Sequence, residues 1–308
     1  MLSRKVILEF QDDASFSPFI NSQTSSLPMK RYKKHPWVKA EVTDDFIEAV
    51  EKQGNVLIWE DIQFQPLSKW MREQIIPMTN AFSLDDVLEH IKAPDAWKKT
   101  KGEDVYIAII DTGICGKMAE FPIWKQADGW AFDNKPWEDY NGHGSMCACI
   151  ASATREEGGR FNGVAPNAKL YSCKTLFTAS ELIEIYEWLI DQKEEHGQPI
   201  IANNSWGAYV CEPPGPCDHP LIRIIKEAVK AGIIVTFAAG NNHELCKGKP
   251  ELCEPDTIWM QNSLDEVLSM GTVDEKNILR KYSSRGPGQC AQKYLKPDCV
   301  APTYGVVM

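Results

Sequence analysis

From about residue 81 onward, short and continuously apolar runs alternate with stretches of helical periodicity, and few architectures can accommodate that alternation. The runs are "VYIAIID" (105–111), "AKLYSCKTL" (168–176), "PIIANNSW" (199–206), "GIIVTFAAG" (232–240) and "VLSMGTV" (267–273). Runs of this length and character suit strands buried on both faces. Between them, 179–197 and 218–232 carry apolar residues at a 3.6-residue spacing and end at Gly197 and Gly232. The pattern predicts an α/β fold with a doubly wound, mostly parallel sheet. In such sheets chemistry collects beyond the carboxyl ends of the strands.

Residues 1–78 follow a different pattern. "RKVILEF" and "WVKAEV" read as strands, and "TDDFIEAVEKQGN" as a helix with Thr43 or Asp44 at its N-cap and Gly54 as its stop. "VLIWEDIQF" alternates and is rich in β-branched and aromatic residues, so a further strand is expected there. Residues 66–80 read as a connector. The expected organisation is a small α+β domain with its connector (1–78) followed by a larger α/β domain (81–308).

Composition narrows the function. The net charge of −10 over 308 residues argues against nucleic acid as a partner. No run of about 18 apolar residues is present, so no membrane-spanning helix is expected. At the N-terminus Val6-Ile7-Leu8 is interrupted by Glu9, too short for the roughly 7–15 apolar residues of a signal peptide. This favours an intracellular location, while ten cysteines leave export by another route open. Cys211 with Cys217, and Cys246 with Cys253, bracket polar loops and could each close a disulfide. Without an export signal, reduced loop thiols are the expected state. Cys115, Cys147, Cys149 and Cys173 lie in apolar segments and are expected to be small core residues. No paired-cysteine spacing points to zinc.

The strand ends carry the candidate chemistry. Asp111 closes the first core strand before Thr112-Gly113, where it could contact a ribose, ligate a metal, cap a helix or orient a base. Neither G-x-G-x-x-G nor a P-loop occurs, which demotes nucleotide binding. His143 stands in "NGHGS" at the start of an apolar helix, between glycines that leave its ring unobstructed. A lone loop histidine is more often structural, but a general base needs a strand-end carboxylate such as Asp111 on its other nitrogen. Asn241, in "AAGNN", is either a turn residue or a donor to a developing oxyanion.

Asp111 in "VYIAIIDTGI", His143 in "NGHGS" and Asn241 in "AAGNN" occur in the order and contexts of the subtilisin-like serine peptidases. "FNGVAPNAKLYSCKTL", "NNSWGA", "YSSRGP" and "LKPDCVAP" also resemble that family, so the likeness covers about 88–302. It implies an endopeptidase acting on polypeptides, with His143 as base, Asp111 as its orienting carboxylate and Asn241 as oxyanion donor. Ser205, Trp206 and Gly207 would pair with substrate backbone, and Trp206 with 238–240, including Ala239 and Gly240, would wall the pocket before the scissile bond. Residues 1–78 resemble an inhibitory propeptide whose final strand, "VLIWEDIQFQPLS", enters the cleft. No cofactor is required. Relatives often use calcium, and Asp133, Glu138, Asp139 and Glu120 could supply oxygens, although a solvated acidic loop is the simpler expectation. The family's nucleophilic serine has no counterpart here, since Ser145, Ser283 and Ser284 sit in the wrong contexts. The serine is therefore expected beyond residue 308, the sequence being part of a longer protein, and these 308 residues alone are expected to be inactive. A nucleophile on a separate chain, and a pseudopeptidase that binds peptides without cutting them, are the alternatives.

Overall fold

The computed structural model describes residues 3–12, 15, 28–67, 82–208, 216–246, 256–303 and 305–306. Its N-terminal part is a four-stranded antiparallel sheet in the order β2-β3-β1-β4, formed by β1 (Ser3–Phe10), β2 (Met29–Arg31), β3 (Trp37–Thr43) and β4 (Val56–Glu60). The helix Asp44–Gln53 begins at Thr43, whose side chain accepts from the Phe46 N–H, and ends at Gly54 in the left-handed conformation. Both ends are thus as expected from the sequence.

The uninterrupted Val6-Ile7-Leu8 run follows from the sheet being buried on both faces. Val6, Leu8 and Phe10 pack with Val38, Val42, Ile47 and Val50 under the sheet's own helix. Ile7, Tyr32 and Trp37 point the other way, into the core of the larger part. Strand alternation puts neighbouring residues on opposite faces, so Val6, Ile7 and Leu8 each meet a core, and Glu9 on the face toward the larger part is tolerated by pairing with Arg223.

The larger part is a seven-stranded, wholly parallel sheet in the order β14-β13-β12-β10-β7-β9-β8. Two short strands of the first part's tail and the chain between, β5 (Gln65–Pro66) and β6 (Phe82–Ser83), precede it. Its members are β7 (Tyr106–Asp111), β8 (Gln126–Ala131), β9 (Lys169–Lys174), β10 (Ile200–Asn204), β12 (Ile234–Ala238), β13 (Leu268–Val273) and β14 (Cys299–Pro302). Short β11 (Trp206–Gly207) leaves the sheet to pair with β5, and β15 (Gly305–Val306) pairs with β6. All five strands expected from apolar runs are present. The edge strands β8 and β14 were not anticipated, because "QADGWA" and "CVAP" carry the polar and proline residues that edges tolerate.

Helices Ala179–His196 and Pro220–Lys230 cover one face of the sheet, and the small sheet rests on both of them. The contacts at this junction are largely polar. Backbone N–H groups of Lys33 and Lys34 donate to the Glu187 carboxylate, which is almost wholly buried. Arg223 grips Glu9 with both terminal nitrogens, and Trp59 Nε1 donates to the same carboxylate at 2.7 Å. Asp61 accepts from the Ser180 N–H and Oγ, both at 2.8 Å, at the N-terminus of the helix Ala179–His196. That capping role ends the strand expected over 56–64: β4 stops at Glu60, and the chain turns so that Asp61 can reach the helix.

The cysteine expectation needs correction. Cys217 is disulfide-bonded to Cys290, with 5.5 Å between their Cα atoms, not to Cys211, and it is not a reduced loop thiol. Cys246 is disulfide-bonded as well. Cys211 and Cys253 lie outside the described residues. Cys149 and Cys173 are buried free thiols, while Cys115 and Cys147 are only half-buried.

Candidate active site

Asp111 is the last residue of β7 and has no solvent exposure. His143 is the first residue of the helix His143–Ser152. Its Nδ1 lies 2.7 Å from Asp111 Oδ1 and 2.9 Å from Oδ2. In the neutral imidazole this places the proton on Nδ1, donated to the carboxylate, and leaves the Nε2 lone pair free to take a proton. Burial by itself would lower the pKa of His143, but the Asp111 carboxylate and the Cys147 side chain together outweigh it and the pKa is raised.

The helix can approach β7 this closely because residue 144 is glycine. A Cβ on Gly144 would sit 2.1 Å from the Gly113 carbonyl oxygen and 3.1 Å from Asp111 Cβ. The turn before the helix is organised by Asp139. Its Oδ1 accepts from Thr112 Oγ1, Asn141 N–H and Gly142 N–H, and its Oδ2 from Ser145 N–H and Oγ. Thr112 Oγ1 in turn accepts from the Gly144 N–H at 2.9 Å. One carboxylate therefore ties the strand carrying Asp111 to the helix carrying His143. Asp139 was expected only as a calcium oxygen or part of a solvated loop. An Asp shortly before an Asn-Gly turn and a helix start is a recognisable capping signal that could have found it.

The remaining acidic candidates are each committed elsewhere. Asp133 accepts from Lys174 Nζ at 2.7 Å, Glu138 from Tyr140 Oη at 2.5 Å, and buried Glu120 from the Arg160 N–H and Nε. These side chains do not fit one calcium site. Among the described residues, one group offers three ligand atoms within 4.8 Å of one another: Asp111, His143 and Cys147. Its closeness is accounted for by the Asp111–His143 hydrogen bond and by Cys147, one helical turn on, whose Sγ lies 3.9 Å from His143 Nδ1. Burial raises the Cys147 thiol pKa, so it remains a thiol.

Ser145 is taken up by Asp139 and by the Cys115 N–H. The hydroxyls of Ser283 and Ser284, both buried, accept from the Thr272 and Asn242 N–H groups. All three are structural.

The tail of the small sheet lies against the short strand that follows β10. Gln65 and Pro66 pair antiparallel with Gly207 and Trp206. The Leu67 N–H donates to the Ser205 carbonyl at 3.0 Å, and Asn241 Nδ2 donates to the Leu67 carbonyl at 2.7 Å. Ala239 and Gly240, with Gly207, Ala208, Asn242, Trp259 and Asn262, surround Leu67. Trp206 is not among them: fully buried, its ring lies 5.3 Å from that of Phe64 and 5.2 Å from that of Phe237. The indole beside Leu67 belongs instead to Trp259. Asn262 braces the groove by donating to the carbonyls of Trp206 and Ala238. Neither Trp259 nor Asn262 lies in a motif that could have marked it from sequence.

Comparison with known proteins identifies the family. A model of the subtilase family, peptidase S8, matches residues 102–306. Serine protease AprX of Bacillus subtilis (strain 168) is 26% identical, over 98% of this chain and 68% of its own length. Major intracellular serine protease of the same organism is 30% identical, over 69% of this chain and 64% of its own length. Subtilisin E, also from that organism, is 26% identical over 74% of this chain and 56% of its own length. The chain thus spans between about half and two thirds of the length of these relatives.

Proposed function

Because the chain belongs to the subtilase family, we propose that it supplies the cleft, the base and the oxyanion donor of a serine endopeptidase, with its own N-terminal part seated as inhibitor. The observation that carries this reading is the Leu67 carbonyl. It accepts from Asn241 Nδ2, just after β12, while the hydrogen-bonded Asp111–His143 pair sits at the carboxyl end of β7 in the same parallel sheet.

In the reaction, a serine hydroxyl from outside these 308 residues gives its proton to His143 Nε2 and attacks a substrate carbonyl carbon. Asp111 holds the imidazole by Nδ1–H and stabilises the imidazolium that forms. Asn241 Nδ2 donates to the oxygen as it becomes an oxyanion. His143 then passes its proton to the leaving amine, the peptide bond breaks, and an acyl-enzyme remains. Water, deprotonated by His143, releases the acyl group and restores the hydroxyl. Without that serine, residues 1–308 hold a peptide and do not cut it. The family membership and the docked tail support a division into an inhibitor part, residues 1–78 with connector, and a peptidase part, residues 81–308.

Fluorophosphonate-biotin applied to the protein from its natural source tests this reading, with the modified peptide located by mass spectrometry. Label on a serine in a peptide beyond Met308 is expected, and it should vanish on heat denaturation before labelling. No label, together with an intact mass equal to 308 residues, would overturn the peptidase reading and leave a peptide-binding module.

A further inference from the structure

The tail of the small sheet is held at its two ends by segments that a disulfide ties together. At its start, the Glu60 carbonyl accepts from His219 Nε2 at 3.0 Å, and the Trp59 and His219 rings lie nearly perpendicular with centroids 5.7 Å apart. His219 is buried and its Nδ1 accepts from the Leu221 N–H, so one neutral ring caps the helix Pro220–Lys230 and grips the tail. Midway, the N–H of buried Phe64 donates to the Phe177 carbonyl at 2.8 Å. At the far end the Leu67 N–H donates to the Ser205 carbonyl, and the Leu67 side chain lies among Ala239, Gly240 and Trp259.

Trp259 and Asn262 belong to a short segment, 258–263, that is fastened by the loop carrying Cys290. The Gln289 N–H donates to the Ile258 carbonyl at 3.2 Å, and Gln289 Oε1 accepts from the Met260 N–H at 3.3 Å. The Cys290 N–H donates to Ser263 Oγ at 2.8 Å. Met260 needs such support, because it is buried and holds a positive φ of 38°, which side chains disfavour. Asn262 passes the restraint inward through its hydrogen bonds to the Trp206 and Ala238 carbonyls. Cys290 is bonded to Cys217, two residues before His219. One covalent bond therefore joins the segment that grips Glu60 to the segment that walls Leu67. Its two halves are unequally accessible, Cys217 being exposed and Cys290 buried. The rest of the loop has its own anchor, the Asp265 carboxylate, which accepts from the N–H groups of Gln292, Lys293 and Tyr294.

We propose that the Cys217–Cys290 disulfide is a redox-operated brace on the N-terminal part: the intact bond holds the tail in place, and its reduction loosens the tail. The reductant is a dithiol. One of its thiolates attacks the sulfur of exposed Cys217, the S–S bond breaks, and Cys290 leaves as a thiolate that takes up a proton. The second thiol of the reductant then displaces Cys217, so two electrons pass to the protein and the reductant ends as a disulfide. With the bond gone, Gln289 and Cys290 keep only their hydrogen bonds to 258–263, while Asp265 still anchors the far end of the loop. Reduction therefore loosens the two ends of the tail without unfolding the loop. The Asp111–His143 pair, whose contacts come from residues 111–147, lies outside this effect. The consequence for activity, release of an inhibitor, rests on the endopeptidase reading above, whereas the brace itself does not.

The experiment follows amide hydrogen exchange by mass spectrometry in the full chain, before and after dithiothreitol. Reduction should speed exchange of the Phe64 and Leu67 amides by about 10- to 100-fold, less than a whole cross-link is worth because Asp265 still anchors the loop. Exchange in the helix His143–Ser152 should not change. Dithiothreitol also reaches the disulfide of Cys246, which packs on Trp259. The double variant Cys217→Ala/Cys290→Ala separates the two bonds: it should exchange fast at 60–67 without reductant and respond little to it. If that variant does not fold, iodoacetamide trapping along a dithiothreitol titration replaces it, and exchange at 60–67 should track alkylation of Cys217 and Cys290. Equal exchange in the oxidised and reduced chains, or acceleration that tracks alkylation of Cys246 instead, would overturn the proposal. Fluorophosphonate-biotin judges the peptidase reading separately. Redox-dependent exchange without label would overturn that reading and leave the brace, and label with redox-independent exchange would do the reverse.

Discussion

The Asp111–His143 end of the site and the Leu67 end are assembled differently. Asp111 and His143 are 32 residues apart, on a strand and a helix of the same sheet layer, and a single carboxylate, Asp139, binds the turn between them. Asn241 and Leu67 are 174 residues apart and meet only because the small antiparallel sheet docks on helices Ala179–His196 and Pro220–Lys230. The first end lies within the large parallel-sheet part, with all its contacts drawn from residues 111–147. The second is a complex between two parts of one chain, so its formation depends on the Glu9–Arg223 and Asp61–Ser180 contacts far from the groove. Damage to the first should change chemistry, and damage to the second should change occupancy.

The sharpest test of that contrast is His143→Ala in the full-length enzyme, which should lower kcat by about 10⁴- to 10⁶-fold, as removal of a triad base does in a related peptidase. Intrinsic fluorescence should show the small sheet still docked, because no contact of His143 reaches it among the described residues. Asn241→Ala acts where the two ends meet. Steady-state kinetics should show kcat down by about 10²–10³-fold with little change in KM.

Asp139→Ala would separate support from chemistry. It removes the acceptor of five hydrogen bonds around the His143 turn and should cost about 2 kcal/mol in urea unfolding, with Leu67 still seated. Asp139→Asn should recover part of the loss.

The smallest effect is in titration. The pKa of His143 is raised above its ordinary 6.5, because burial, which lowers it, is exceeded by Asp111 and Cys147 together. The pair's contribution to stability should therefore be complete below pH 6.5 and fade as pH rises through the folded value. Under the proposed function the neutral imidazole is the base, so the acid limb of kcat/KM should lie above pH 6.5. Imidazole proton NMR should show Asp111→Asn moving the His143 titration downward, since the main group opposing burial is then gone.

What could be read before folding was local. A residue's place at a strand end or helix start follows from apolar periodicity and from glycine and capping chemistry, which act over a few residues. This is why Asp111, His143, Asn241 and the Thr43–Gly54 helix were legible. Edge strands β8 and β14 were not, since an edge demands no apolar run. Trp206 had the right neighbourhood but the wrong neighbour, because which of two indoles faces Leu67 is decided by how the segments around 206 and 259 pack together. The pairing of Cys217 with Cys290, 73 residues away, was equally hidden, since loop-closing spacing in sequence carries no information about which thiols meet. The sequence by itself determined the parallel sheet, the places of Asp111 at a strand end and His143 at a helix start, and the strands of a small N-terminal sheet. Only the tertiary structure decided that Phe64 and Leu67 are the residues of that part buried in the groove, because their register depends on two gripping edges brought together across the whole chain.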